Sequence, residues 1–496
     1  MSKYLIGIDL GTTVCKCSIY DDAMKLVSQA GIEYSLIYID GHIEQDANLW
    51  WELSKEVVIK ALEKIPDKND VEAISVSSQS MAFVPLDKSG NTISNAISWL
   101  DERGYSELEQ IESRFGERKI YERTGKWLYG AYVLPKLLWL KKNDPDFFLA
   151  SKIAFPMDFL IFKLTGLLIT DRTIASGTMM YNIVKNEWDQ DILDIFGIDI
   201  DKLPQVCLSA TKAGVIKEEI AKVLGIGADV QIIVGGQDQK CASLAAGITE
   251  SVCTVSLGTA AAVEMLYDKP VMDPNMKIPV FSYLTENTWV SETAIACAGA
   301  AVRWYKQTFA PFLSYDQLDD MAYKEYAKHN GIFFYPYLSS NDELSGTFYG
   351  LGLDSDIAKT YMAVREGITF EISLLMDMMK AVPGAKSPQK IVVFGGGSYS
   401  QLWCQLIADI CDMPVKVMDT SEMAAKGACM LAGAGAGMFG NIFNVNNDNN
   451  DNNDNSDNSD NSDNCDNTIY EPDPLNVKIY MQKKKEYEKY KKKIFD

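Results

Sequence analysis

Asp9 stands at the end of an apolar run, Tyr4-Leu-Ile-Gly-Ile, and is followed after Leu10 by the triplet Gly11-Thr12-Thr13. A carboxylate just before such a turn suits a phosphate site. A side chain in place of Gly11 would hold a phosphate away from the backbone amides, the hydroxyls and amides donate to its oxygens, and Asp9 can hold magnesium through water. A second turn of the same make, Gly258-Thr259, follows another apolar strand, and Ile8-Asp9-Leu10-Gly11-Thr12 lies on Val255-Ser256-Leu257-Gly258-Thr259 without a gap. Either turn alone is an ordinary hairpin; two of them facing across a cleft make a route to ATP. Asp238 follows Gly235-Gly236-Gln237 at a strand end and reads equally as a general base, a contribution of about 10²- to 10⁴-fold, or as a helix N-cap. Trp99-x-Asp101-x-Arg103 alternates with period two, which places the three side chains on one face of an extended segment. Such a face suits a polyhydroxylated ligand, and also a surface ion pair beside a packed tryptophan.

Other chemistries are closed by what the chain lacks. Its two histidines, His42 and His329, stand in unrelated surroundings and leave neither a histidine metal site nor a recognisable Ser/His/Asp triad. No Gly-x-x-x-x-Gly-Lys-Ser/Thr occurs, and neither histidine sits in a protein-kinase catalytic loop. Ten cysteines at irregular spacings include no Cys-x-x-Cys, so reduced thiols and a cytoplasmic location are expected. A net charge of −21 repels phosphodiester backbones, which argues against nucleic acid as a partner. No apolar run approaches the ~20 residues of a membrane helix, and the N-terminus lacks a signal-peptide pattern. The remaining tools are carboxylates, hydroxyls, Lys, Arg and backbone amides, and they point to phosphoryl transfer.

The elements that must position these residues follow from periodicity. Residues 4 to 9 and Val14 to Tyr20 read as a hairpin, Asn48 as the cap of a helix with Leu53, Val57 and Ala61 on one face, and Val71 to Val76 as the next strand. Val230 to Val234 then runs into a glycine turn, and residues 252 to 262 form the second hairpin. Lys390 to Phe394 is a strand, Gln401 to Cys411 a helix after a Gly395-Gly396-Gly397-Ser398 loop, and Met423 to Met438 a closely packed Ala/Gly-rich helix. Strands alternating with helices argue α/β, and 496 residues suit two or three domains. The repeated hairpin divides the chain into 1–246 and 247–496. The tract 444–467, which alternates Asn, Ser and Asp, is expected to be a disordered insertion, and Lys478 to Lys493 a solvated helix whose lysines are a wet face.

In chain order these pieces resemble the FGGY family of carbohydrate kinases over nearly the whole length. The resemblance is carried by Gly7-Ile-Asp9-x-Gly11-Thr12-Thr13 with Lys16, Glu44-Gln45-Asp46 before Trp50-Trp51, Trp99-x-Asp101-x-Arg103, Lys136-Leu-Leu-Trp139 and Leu164-Thr-Gly166. It continues through Gly235-Gly-Gln-Asp238, Ser256-Leu-Gly-Thr259, Pro336-Tyr-Leu338, Arg365-Glu-Gly367, Gly395-Gly-Gly397 and Glu422-x-Ala-Ala-Lys-Gly427-Ala. It implies two actin-like (ribonuclease H-like) ATPase domains with a central cleft, ATP and magnesium, and a small sugar as acceptor, with a homodimer the one self-assembly left open. It also implies Asp238 as the catalytic base, Asp9 beside magnesium, and Thr12, Thr13, Lys16, Gly258 and Thr259 at the phosphates. Gly299, Gly396 and Ser400 fall where the family holds adenosine, with Arg303 as an adenine neighbour, and Gln79, Trp99, Asp101 and Arg103 where it holds the sugar.

The chain departs from the family where the sugar is chosen. Gln79 is followed by Ser80-Met81, against the Arg-Glu of glycerol kinases and the Met-His of xylulose kinases. The Glu-Gln-Asp stretch still makes a pentulose such as xylulose or ribulose the expected acceptor, ahead of a hexulose, gluconate or a polyol. An actin-like ATPase switch without a sugar is the alternative from another class.

Overall fold

The structure is a computed structural model that describes residues 3–144, 150–339, 345–418, 422–440 and 468–495. The tract 444–467 therefore lies outside the described residues. The chain forms two compact units, the first built on residues up to Gly247 and the second beginning at Ile248.

In the first unit, β1 (Tyr4–Leu10) and β2 (Val14–Asp21) form the expected hairpin, extended by β3 (Leu26–Glu33). Helix α1 (Ala47–Leu62) packs on β2 and β3 through Trp50, Leu53, Val57 and Ala61, the stripe a 3.6-residue period dictates. Its cap is Asp46 rather than Asn48: Asp46 Oδ1 accepts from the amides of Asn48 at 2.8 Å and Leu49 at 3.3 Å. Strand β4 (Val71–Ser78) pairs parallel to β1, and helix α2 (Val133–Asn143) follows. Strand β5 (Lys212–Val215) is antiparallel to β6 (Gln231–Gln237), which runs parallel to β4. The sheet order is β5-β6-β4-β1-β2-β3. Strand β6 runs through Gly235 and Gly236, where a turn was expected, and helix α3 (Asp238–Ala245) starts directly after it.

The second unit repeats the plan. Strand β7 (Val252–Leu257) lies between its antiparallel hairpin partner β8 (Ala261–Tyr267) and a parallel strand from later in the chain, β9 (Lys390–Phe394). In the first unit β1 lies in the same way between β2 and β4. The aligned residues Asp9 and Ser256 occupy equivalent places, and the amides of Gly11 and Gly258 both close their turns, onto Val14 at 3.0 Å and Ala260 at 2.9 Å. Helices α4 (Gly299–Phe309), α5 (Tyr315–Tyr323), α6 (Ile357–Lys380) and α7 (Gln401–Cys411) belong to this unit, with β10 (Val415–Val417) parallel to β9.

Two findings correct the linear picture. Helix α8 (Met423–Gly435) groups with the first unit, as does Asp268–Val290, so a single cut at 246/247 does not describe the packing. The helix lies on β1, β4, β6 and α3, and a Cβ on Gly427 would stand 2.0 Å from the Cys241 carbonyl oxygen, so the small residue there sets the approach. After β11 (Ile469–Tyr470), helix α9 (Pro474–Phe495) is not merely solvated: Val477, Tyr480, Lys483 and Tyr487, on one face, are buried. Lys483 Nζ donates to both oxygens of Glu366 on α6, at 2.6 and 2.7 Å, which makes this lysine part of the core.

Candidate functional site

The register of the first sheet aligns Leu10, Ser78 and Gln237 in one row across three parallel strands. Gly11, Gln79 and Asp238 each stand one residue beyond that row, at the carboxyl ends of the strands, where open α/β sheets bind ligands. One step before it, Asp9 Oδ1 accepts from Ser77 Oγ at 3.0 Å. Burial raises the Asp9 carboxyl to about 6, against the opposing pull of Lys16 and Ser77. Lys16 pairs with Asp9 in the ladder, but its ammonium lies 3.2 Å from Glu422, just ahead of α8. Asp238 is half-buried, and its Oδ1 accepts from the Gln239 amide at 2.7 Å and from Gln237 Nε2 at 3.2 Å. It opens α3 and does not cap it, since Gln237 holds the cap position.

A polar chain crosses the same edge. Gln79 Nε2 donates to Gln45 Oε1 at 3.0 Å, Gln45 Nε2 to the Thr12 carbonyl at 2.8 Å, and Trp99 Nε1 to Thr12 Oγ1 at 2.8 Å. Gln79 Oε1 is buried and accepts no hydrogen bond within the described residues. Thr13 is exposed at the turn, and its carbonyl accepts from the Tyr34 amide at 2.8 Å.

Trp99, Asp101 and Arg103 do not share an extended face. Trp99 and Leu100 form a turn closed by the Asp101 amide on the Ser98 carbonyl at 3.2 Å, and Arg103 opens a 3₁₀ helix. The turn wins because the Asp101 carboxylate collects donors along it. Its Oδ1 accepts from Arg103 N at 3.0 Å and Arg103 Nε at 2.7 Å, and its Oδ2 from Ile43 N at 2.7 Å and Arg103 Nη2 at 3.0 Å. Burial raises the Asp101 carboxyl, but these bonds outweigh it and hold the group below the usual carboxylate range. Arg103 Nη2 also donates to Glu44 Oε1 at 2.9 Å, and the guanidinium lies over the Trp139 ring, 5.2 Å from its centroid. Glu44 and Gln45 stood in a recognised string without a role; their contacts with Arg103 and Thr12 come from the tertiary structure.

In the second unit, Gly258, Thr259, Gly299, Arg303, Gly396 and Ser400 all line one cavity of about 920 Å³. The hairpin turn seats the start of α4: the amides of Ala298 and Ala300 donate to the Thr259 carbonyl, and that of Gly299 to the Gly258 carbonyl, all at 3.0 Å. A Cβ on Gly299 would stand 2.4 Å from that Gly258 oxygen, so only glycine fits the junction. Arg303 Nη2 reaches Thr259 Oγ1 at 3.3 Å. Ser400 caps α7 by accepting from the Trp403 amide at 3.1 Å and donates to Asp319 Oδ2 at 2.5 Å. Asp319 Oδ1 in turn accepts from buried Arg365 at 2.9 Å, and the Arg365 guanidinium stacks on Trp403 at 4.5 Å. Asp319, Arg365 and Trp403 line the cavity and were missed as site residues, because only the fold brings α5, α6 and α7 together there.

Among the described residues no group of three or more His, Cys, Asp or Glu side chains is placed to hold a metal, and no helix is long and apolar enough to cross a membrane. A lone carboxylate such as Asp9 suits an ion that keeps its waters and takes phosphate oxygens, not one enclosed by protein. Family models describing the N-terminal and C-terminal domains of the FGGY family of carbohydrate kinases match residues 4–245 and 253–436. A xylulose kinase of Lactococcus lactis is 30% identical over 449 residues, 88% of this chain and 89% of its own length. The crystal structure of a xylulose kinase from Lactobacillus acidophilus superposes with a TM-score of 0.88 at 28% identity, covering 99% of this chain and 98% of that one. A gluconate kinase structure from the same organism gives 0.89 at 27%, with the same coverage. With its two ribonuclease H-like (actin-like) units, the chain belongs to the FGGY family of carbohydrate kinases and is an ATP-dependent sugar kinase.

Proposed function

We propose that this kinase transfers the γ-phosphoryl group of ATP to a primary hydroxyl of a pentulose such as xylulose or ribulose. The observation that carries the reading is at the first sheet's edge, where Gln79 and Asp238 stand just past the ends of two neighbouring parallel strands and Asp9 is the penultimate residue of the strand beside them. In this reading Asp238 accepts the proton of the acceptor hydroxyl as its oxygen bonds to the γ-phosphorus and the bond to the departing ADP oxygen breaks. Gln79 Oε1, which lacks a donor, accepts from a sugar hydroxyl, and Trp99 covers a C–H face. Thr12, Thr13 and Lys16 in the first unit and Gly258 and Thr259 in the second serve phosphate oxygens, while Gly299, Arg303, Gly396 and Ser400 serve the adenosine. Magnesium, which Asp9 would hold through water, screens phosphate charge when bound.

A neutral ketose is favoured over gluconate by the charge around Arg103. Its guanidinium is already engaged by Asp101 and Glu44, and the nearby Lys136 ammonium by two backbone carbonyls, so neither cation is left uncommitted for a sugar carboxylate. The name of the Lactococcus lactis relative agrees with this choice. The test is ADP release from Mg-ATP with xylulose, ribulose, hexuloses, gluconate and polyols, with Asp238→Ala alongside. One pentulose should stimulate release strongly, and the variant should lose about 10²-fold or more in kcat. Sugar-independent release unchanged in Asp238→Ala would overturn the assignment of the base, and gluconate as best acceptor would overturn the choice of sugar.

A further inference from the structure

Lys136, the first residue of the Lys-Leu-Leu-Trp string, is fully buried in α2, and the proposed reaction gives it no task. Its Nζ donates to the backbone carbonyls of Met81 and Ser98, each at 2.9 Å. These two carbonyls belong to the segments that carry Gln79 on one side and Trp99, Asp101 and Arg103 on the other. An isolated antiparallel bridge joins the segments further back, with the Ile97 amide donating to Phe83 at 2.9 Å and the Phe83 amide to Ile97 at 3.2 Å. Past that bridge the ladder ends. Met81 adopts a left-handed φ of 61°, and Ser98 enters the turn closed by Asp101. Two carbonyls at the end of a ladder, that of Ser98 buried and that of Met81 partly so, need donors, and an ammonium has three N–H groups to give. Burial lowers the Lys136 ammonium to about 7, with the charge of Asp101 opposing, so a buried lysine is costly at this position unless it does something an apolar side chain could not.

We infer that Lys136 is a positioning residue for the acceptor: its ammonium stands in for the missing rungs between residues 81 and 98 and sets the spacing of the two walls that meet the sugar. The inference rests on the acceptor site proposed above. The wall residues Ser80 and Met81 follow Gln79 directly, so a shift of the Met81 carbonyl moves the segment that chooses the sugar. Positioning of this kind acts on acceptor binding and alignment, and leaves the nucleotide cavity of the second unit as it is.

The test compares Lys136→Met, which removes the donors, with Lys136→Gln, which keeps an uncharged N–H donor. The Met variant should raise the KM for xylulose about tenfold or more, the Gln variant should recover part of that, and the KM for ATP should stay within about twofold in both. A folded Met variant with unchanged xylulose KM, or one in which both KM values rise together, overturns the inference. Hydrogen exchange of the wild-type chain decides the matter even if Lys136→Met does not fold. The Phe83 and Ile97 amides should exchange as slowly before xylulose is added as after; protection that arises only with xylulose shows that the substrate, not the lysine, assembles the walls. If the wild type phosphorylates none of the acceptors, the proposed function fails; if it phosphorylates xylulose and a folded Lys136→Met leaves that KM unchanged, only the inference about Lys136 fails.

Discussion

Asp101 shows how a single carboxylate can convert a strand-like pattern into a turn. It is fully buried, receives donors from Arg103 and Ile43, and sits on the 3₁₀ entry that Arg103 opens. Its folded pKa lies below its unfolded value, so the stability it contributes is present above the ordinary carboxylate range and is lost as pH falls through the lower folded value. Asp101→Asn should therefore lower the unfolding free energy at pH 7 by about 2 kcal/mol, with the gap to wild type closing below about pH 4. Chemical denaturation at a series of pH values from 7 down to about 2 checks this; a gap that stays constant across the series would show that the loss is steric. The alternation of Trp99, Asp101 and Arg103 was legible in the sequence, but the competing bond from the Arg103 amide to the Asp101 carboxylate was not, because it depends on how the backbone has already turned.

At the scale of elements, the junction between the second hairpin and α4 is a tightly constrained part of the second unit's cavity. The first amides of α4 are spent on the Gly258 and Thr259 carbonyls, which places Gly299 too close to the turn for any side chain. Gly299→Ala should displace the helix start, raising the KM for ATP about tenfold and costing about 1 to 3 kcal/mol of stability, with the acceptor KM less affected. Steady-state kinetics with each substrate varied separately reads this out; equal rises in both constants would assign the effect to general loosening. The elements themselves were largely readable. The helix Gln401–Cys411 and the strand Lys390–Phe394 coincide with their periodic signals, since both are bounded by glycines or a serine cap that end one pattern before the next begins. Asp46 was passed over as a cap for its neighbour Asn48, a choice between two good caps that only the backbone angle decides.

At the scale of the whole molecule, the last helix completes the second unit. Lys483 and Glu366 are each about 1% exposed, bonded to one another, and lie 117 residues apart in the chain. The Lys483 ammonium also donates to the Lys328 carbonyl at 2.9 Å, and Glu371 accepts from Tyr487 at 2.6 Å and from Lys491 at 2.8 Å. Lys483→Met should cost about 3 to 5 kcal/mol because it leaves a buried carboxylate unpaired, and adding Glu366→Leu should recover a large part of that. Thermal unfolding of the single and double variants measures both; no recovery in the double variant would mean that the shape of the pair, not its charge, is what the core requires. The basic run from Lys478 to Lys493 reads as solvated because lysines are nearly always exposed, and a sequence carries no sign of a carboxylate waiting on another helix.

The family, the α/β class, the repeated hairpin with its glycine turns, and six residues that line the second unit's cavity, Gly258, Thr259, Gly299, Arg303, Gly396 and Ser400, were legible in the sequence. These are local properties: turn glycines, strand ends and cap residues act through neighbours a few positions away, and their order along the chain is the family's signature. Only the fold shows that α8 belongs with the first unit, that Arg103 is held by Glu44 as well as Asp101, that Arg365 and Asp319 brace Ser400, and that Lys136 and Lys483 are buried. Each of these is a long-range pairing of charge or of close-packed backbone. Such pairings are decided by which partners the fold brings within hydrogen-bond distance, and that information is not written in the spacing of residues along the chain.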